Sequence, residues 1–187
     1  MIASTVIGYH GTTTERVAGI NTGFQAGKRA ASWLGEGIYF FYNAPLHAEN
    51  WSKTVAKRKT RTGKPVVITA NITLGNTLNL LDSEHWDRMR AIANILDPNR
   101  LKQLSPKALY LKRTPKNLGE NVGDHYLMEA YINWLEDETK TEIDTVIAAF
   151  IEGKPIHPDS WLFDQSHVAI SVRTPGRIEI QGQQIFD

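Results

Sequence analysis

The run Val66-Val67-Ile68-Thr69-Ala70-Asn71-Ile72-Thr73-Leu74 narrows the fold more than any other stretch of this chain. β-branched residues dominate it, Pro65 precedes it and Gly75-Asn76 supplies a turn after it, so it predicts a strand long enough to sit inside a sheet. Such a strand needs neighbours, and three other segments offer them. Val6-Ile7-Gly8-Tyr9 reads as a short buried strand, and Ile38-Tyr39-Phe40 as an apolar aromatic one. Near the other end, Val168, Ile170 and Val172 alternate with Ala169, Ser171 and Arg173, Pro175-Gly176 makes a turn, and Ile178 and Ile180 continue the pattern.

The remaining apolar periodicity is helical. Thr12 and Glu15 have capping-box spacing ahead of Val17, Ile20 and Phe24, with Gly23 closing a short helix. Pro45 suits a first helical turn, and Ala48, Trp51, Ser52 and Val55 predict a helix reaching about Lys59. Asp82 or Ser83 caps a helix carrying Trp86, Met89, Ala93 and Leu96, which Asp97-Pro98 ends. Pro106, Pro115, Gly119 and Gly123 break the pattern from Asn99 to Gly123, which predicts loop with short helical turns. Leu127, Ala130, Tyr131, Trp134 and Leu135 mark an amphipathic helix. Ile143, Val146, Ile147, Phe150 and Ile151 predict another, capped by Thr141 and Asp144. The expected organisation is one α+β domain over residues 1–187, with 82–151 a mostly helical insertion or flank.

Length and a 41% hydrophobic content suit a single core, and the net charge of +1 argues neither for nor against a nucleic acid partner. The absence of cysteine excludes disulfides, thiolate nucleophiles and Cys-ligated zinc. The first residues lack a basic start and apolar core, and no apolar run approaches the ~18 residues of a membrane span. The expectation is a soluble, cytoplasmic protein without a membrane partner.

Chemistry concentrates in two places. His10, Gly11 and Thr12 follow the first strand, where a glycine lets a ligand approach the main chain. Gly35-Glu36-Gly37 enters the Tyr39 strand, so that a ligand can reach the backbone at Gly37 while Tyr39 offers a flat face. Thr12 serves equally well as a helix cap or as a ligand hydroxyl. Six histidines are present, yet none has the spacing of a helical zinc site; His125 and Glu129, one turn apart, read as a surface pair, and no metal is expected. No P-loop, Gly-x-Ser-x-Gly elbow or Rossmann fingerprint occurs. Lys53, Lys57, Arg58, Lys59, Arg61 and Lys64 form the densest basic run, either a solvated helix face or a patch for an anionic acceptor.

His-Gly-Thr, then helix and loop, then Gly-x-Gly-Ile-Tyr-Phe, resembles the NAD-binding core of ADP-ribosyltransferases, in the branch containing diphtheria toxin and the poly(ADP-ribose) polymerases. The resemblance covers Val6 to Trp51 and, more weakly, the last segment. It implies a split, mainly antiparallel β core of two small sheets with an NAD cleft between them and helices outside. It implies that His10 and Thr12 hold the adenosine ribose, that the Gly11 backbone holds the nicotinamide amide, and that Tyr39 stacks on the nicotinamide ring. The helix after the tyrosine strand implies contacts from His47 and Trp51, although His47 stands where many relatives have serine and the segment is one residue longer. A donor-covering loop is implied at Gly27 to Ser32, with Lys28 and Arg29.

The family's third catalytic residue is usually a glutamate at the start of a late strand, after a loop that faces the acceptor. Here the loop is Gly153 to Trp161 and Gln165 stands in that place, with Asp164 as the alternative carboxylate and a register open by one or two residues. Glutamine orients a ribose hydroxyl but brings no negative charge, which at an oxocarbenium-like state costs ~3 kcal/mol. The departure fits transfer of a single ADP-ribose and not chain elongation.

The resemblance implies an enzyme that takes NAD as substrate, a mono-ADP-ribosyltransferase acting on RNA or protein. By analogy it suits a toxin or defence effector, with a neutralising antitoxin as a further partner. Two alternatives stay open: a degenerate module that binds NAD or ADP-ribose without chemistry, and an RNA 2′-phosphotransferase, for which the arginines expected around a phosphate have no place here.

Overall fold

The computed structural model describes residues 4–21, 23–24, 32–95 and 122–187. The implied loop from Gly27 to Ser32 apart from Ser32 itself, the end of the helix at Leu96-Asp97-Pro98 and most of the predicted loop from Asn99 to Gly123 lie outside the described residues. The described part of the chain falls into two units: residues up to 24 with 37–81 and 143–187, and residues 32–36 with 82–95 and 122–142.

The first unit is one seven-stranded sheet. Its strands are β1 (Thr5–Thr13), β2 (Ile38–Tyr42), β3 (Pro65–Thr73), β4 (Thr77–Asn79), β5 (Thr145–Phe150), β6 (His167–Val172) and β7 (Ile178–Ile185), in spatial order β4-β5-β6-β2-β1-β3-β7. All neighbours are antiparallel except β4 and β5, so the α+β class and the mainly antiparallel sheet hold. The expected division into two small sheets does not: the ladder is continuous. It is also uneven. β1 pairs with β3 from Thr5↔Thr73 to Thr13↔Pro65, but with β2 only at Gly8↔Tyr42 and Tyr9↔Phe41.

Two helices cover opposite faces of this sheet. Strand alternation puts Val6, His10 and Thr12 of β1, Ile38 and Phe40 of β2, Ile170 and Val172 of β6, and Ala70 and Ile72 of β3 on one face. There Ile38, Phe40, Ala70, Ile72, Ile170 and Val172 form a buried core cluster. Helix α1 (Thr14–Asn21) adds Val17 against Val66 and Ile68 on the same face, and the Gly23 N–H donates to the Ile20 carbonyl (2.9 Å) as the helix closes. Helix α2 (Pro45–Ala56) lies on the other face, where Ala48, Ser52 and Val55 are buried. It begins at Pro45 as expected and stops before Lys59, with Lys57 as its cap.

Two sequence expectations are corrected here. Thr12 is not a helix cap, because β1 runs on to Thr13 and α1 starts at Thr14; the Thr14 hydroxyl accepts from the Lys64 N–H (3.0 Å) while the Thr14 N–H donates to the Lys64 carbonyl (3.0 Å). The predicted helix over Ile143–Ile151 is strand β5, so the helical part of 82–151 ends at Thr139. A six-residue apolar run carries i, i+3, i+4 coincidences by chance, and its β-branched Thr145-Val146-Ile147 favours a strand between β4 and β6. Asp144 caps no helix. Its carboxylate accepts from the Asn76 N–H (2.9 Å) and from Arg177 Nη2 (2.8 Å), and its carbonyl accepts from the Arg173 N–H (2.8 Å). Burial alone would raise this carboxyl, but Asn76, Thr174 and Arg177 outweigh it and hold Asp144 below the usual carboxylate range.

The second unit packs α3 (Trp86–Ile95) against α4 (Val122–Thr139). Asp82 caps a short 3-10 turn, accepting from the Ser83 N–H (2.6 Å), before α3 begins. Met89, Met128, Tyr131, Ile132 and Leu135 are buried, whereas Trp86 and Trp134, expected on the apolar faces, are exposed. His125 and Glu129 are not the expected surface pair: His125 is buried, and the Glu129 carboxylate accepts the Glu36 N–H (2.6 Å).

Candidate functional site

After Tyr9↔Phe41 the β1–β2 ladder stops, short of Gly11 on β1 and of Gly37 ahead of β2. His10 links the two strands there. Its Nδ1 donates to the Tyr39 carbonyl (2.8 Å), which ties the two sequence motifs together. A carbonyl only accepts, so Nδ1 carries the hydrogen and the neutral ring keeps its lone pair on Nε2. Phe24 meets the His10 ring edge-on (centroids 5.5 Å) and Phe40 lies beside it (5.6 Å), so the imidazole is fixed by aromatic packing as well. On this same face, a cavity of about 410 Å³ is lined by Ile20, Phe24, Pro175 and Ile178. Thr12 also belongs to this face and is only 3% exposed.

Tyr39 belongs to the opposite, α2-covered face, with Phe41, Gly11, His47 and Trp51. Gly11 is needed for packing whatever else it does: a Cβ there would run into the Ala48 carbonyl oxygen and come within 3.0 Å of the Ser52 nitrogen. Its missing side chain lets α2 lie directly on β1. Gly37 has φ +155°, and a Cβ there would collide with the Ser171 hydroxyl on β6. Both motif glycines therefore have a structural reason that sequence alone did not reveal. Trp51 is 44% exposed and not core, with the Arg58 guanidinium over its ring (5.2 Å).

The rest of the basic run is partly engaged. Lys53 pairs with Glu49 (2.7 Å) and lies over Phe186 (5.7 Å), and Lys64 pairs with Asp187 (2.8 Å). Lys57, Arg58 and Lys59 are exposed.

Beyond Phe41, the α2 face carries a second cluster. His47 stacks on Phe41 (5.9 Å), and His167, the first residue of β6, lies 4.8 Å from Phe41, 5.5 Å from His47 and 5.7 Å from Phe150. Burial first, and then the neighbouring His167, push His47 below the usual histidine range, with Glu152 pulling the other way. Gln165 sits just before β6 with an exposed side chain; its N–H donates to the Glu152 carbonyl (3.2 Å) and its own carbonyl accepts from His167 Nδ1 (2.9 Å). Asp164, the alternative carboxylate, closes the base of the preceding loop, accepting the Lys154 N–H at 2.8 Å.

Glu152 and His167 were not singled out by the sequence. Their proximity depends on β5 pairing with β6, Phe150↔His167, and the helical reading of β5 concealed it. The signal available was Thr145-Val146-Ile147, three β-branched residues in a row.

Among the described residues no three His, Asp or Glu side chains are placed to hold a metal ion, and no helix is long and apolar enough to cross a membrane. No protein-family model matches the chain, and no curated protein matches it significantly.

Proposed function

We propose that this protein is a mono-ADP-ribosyltransferase that cleaves NAD to nicotinamide and transfers one ADP-ribose to a macromolecular acceptor, RNA or protein. The observation that carries the reading is the 2.8 Å hydrogen bond from His10 to the Tyr39 carbonyl. It joins the His-Gly-Thr and Gly-Ile-Tyr segments, whose resemblance to the ADP-ribosyltransferases rests on sequence alone, where the β1–β2 ladder ends.

In this reading His10, as a neutral imidazole, and Thr12 hold the adenosine ribose, Gly11 and Gly37 offer their main chain, and Tyr39 and Trp51 flank the nicotinamide ring, with His47 beside its amide. Gln165 orients the 2′-hydroxyl of the nicotinamide ribose. Aromatic stacking on a flat cationic ring contributes ~1 to 3 kcal/mol, so NAD binding in this reading also needs the contacts along the rest of the dinucleotide. The exposed Gln165, which brings no charge, favours a second reading, an NAD-binding module without turnover.

Purified protein incubated with NAD labelled in its adenosine half, together with cell lysate, separates the two. Release of nicotinamide with label passing into macromolecules is the expected result, and digestion by nuclease or protease then identifies the acceptor. Saturable NAD binding with no nicotinamide released would establish the module instead.

A further inference from the structure

A transferase of this kind faces a proton problem that Gln165 cannot solve. When the bond between C1′ of the ribose and the nicotinamide nitrogen breaks, its electron pair leaves with nicotinamide and the sugar becomes cationic. The acceptor group, an O–H or N–H, then bonds to C1′ and must lose its proton. A glutamine amide does not take up protons near neutral pH.

We propose that His167, oriented by the Gln165 carbonyl and with the Glu152 carboxylate beside it, is the proton acceptor of the transfer step. This rests on the transferase reading and deepens it. The strand pairing Phe150↔His167 continues into the Gln165 N–H to Glu152 carbonyl bond, which brings Glu152 alongside β6. There the Glu152 carboxylate lies 3.7 Å from His167 Nδ1, and the His167 side chain is only 8% exposed. The Gln165 carbonyl takes the Nδ1 hydrogen at 2.9 Å, which leaves the lone pair of the neutral ring on Nε2.

A carboxylate 3.7 Å from a ring whose tautomer is fixed by another acceptor acts on it through charge and not through a hydrogen bond, and a nearby negative charge favours the imidazolium that forms when the ring takes up a proton. The groups that face His167 are Glu152 from the end of β5, His47 from α2, and the rings of Phe41 and Phe150; His47, held below the usual histidine range, stays neutral beside it at pH 7. The step balances: the acceptor hydrogen moves to Nε2, nicotinamide leaves with the electron pair of the broken bond, and His167 returns its proton to water.

The test follows nicotinamide release, label transfer and NAD affinity for the parent protein, His167→Gln and Glu152→Gln across pH 5 to 9. Loss of about 100-fold in transfer by His167→Gln with NAD affinity unchanged is expected. Glu152→Gln, at a half-exposed position, should fold normally and displace the acidic limb of the transfer profile to lower pH, which a merely structural residue would not do. Undiminished transfer by His167→Gln, or an unmoved profile in Glu152→Gln, would overturn the role. If His167→Gln fails to fold, the Glu152→Gln profile alone decides. A parent protein that releases no nicotinamide overturns the transferase reading itself, and this role with it.

Discussion

The two sides of β1 differ in a way that organises the molecule. Toward β3 the strand is paired along its whole length; toward β2 it holds two residue pairs only, while the buried cluster of Ile38, Phe40, Ala70, Ile72, Ile170 and Val172 spans both flanks. The β3 side is built from Val66, Ile68, Ala70 and Ile72, all buried, and offers nothing reactive. The β2 side carries His10, Gly11, Gly37 and Tyr39, and replaces missing ladder bonds with one side-chain bond. Full ladder pairing and the candidate site residues are thus divided between the flanks of a single strand, although buried core is shared by both.

The strongest expected effect is on the closed side. Ile72→Ala removes a fully buried side chain from the core cluster and should lower unfolding free energy by about 3 kcal/mol in urea titrations, with NAD affinity of the folded fraction preserved. A comparable loss of NAD affinity would break the division.

Gly11→Ala tests the border between the sides. The added methyl meets the α2 backbone and not a flexible side chain, so stability should drop by about 2 kcal/mol, and NAD affinity should fall with it as α2 shifts from Tyr39. Stability unchanged from the parent would mean that α2 yields without cost.

Tyr39→Ala belongs to the open side alone. NAD binding should weaken by ~1 to 3 kcal/mol in calorimetry while the urea midpoint barely moves. Equal affinity in the folded variant would remove Tyr39 from the site.

The smallest effect comes from His47. Its value in the folded protein lies below the ~6.5 of an unfolded histidine, so protonation favours the unfolded chain. Stability should therefore be complete above about pH 6.5 and decline as pH falls from there through the lower folded value. Thermal scans at pH 7 and pH 5 should show a smaller loss for His47→Gln than for the parent. An equal loss would assign the decline to other groups.

How much of this was legible in the sequence varies with how local the signal is. β1, β2, β3, β6 and β7 follow from β-branched runs and alternation, and α2 from Pro45, because each pattern is written within its own segment. The single sheet was not legible, since the order β6-β2-β1-β3 joins segments far apart in the chain. The candidate site divides in the same way. His10 and Tyr39 come from contiguous motifs, whereas Glu152 beside His167 depends on a cross-strand register, and one misread strand was enough to hide it. The packing role of Gly11 against α2 is likewise a property of two elements, which spacing within either one does not contain.

The strand order also sets a timetable for synthesis. β2 leaves the ribosome early, yet apart from its two pairs with β1 its partner is β6, whose first residue is His167. Long-range pairing of this kind closes slowly and only after the intervening chain exists. Until then the Tyr39 strand has one open edge, the kind of surface that chaperones and aggregating neighbours recognise. The β2 flank therefore waits for β6 and the β3 flank for β7, and a ribosome stalled before residue 167 leaves a chain whose β1 and β3 can pair while β2 still lacks β6 and β3 still lacks β7.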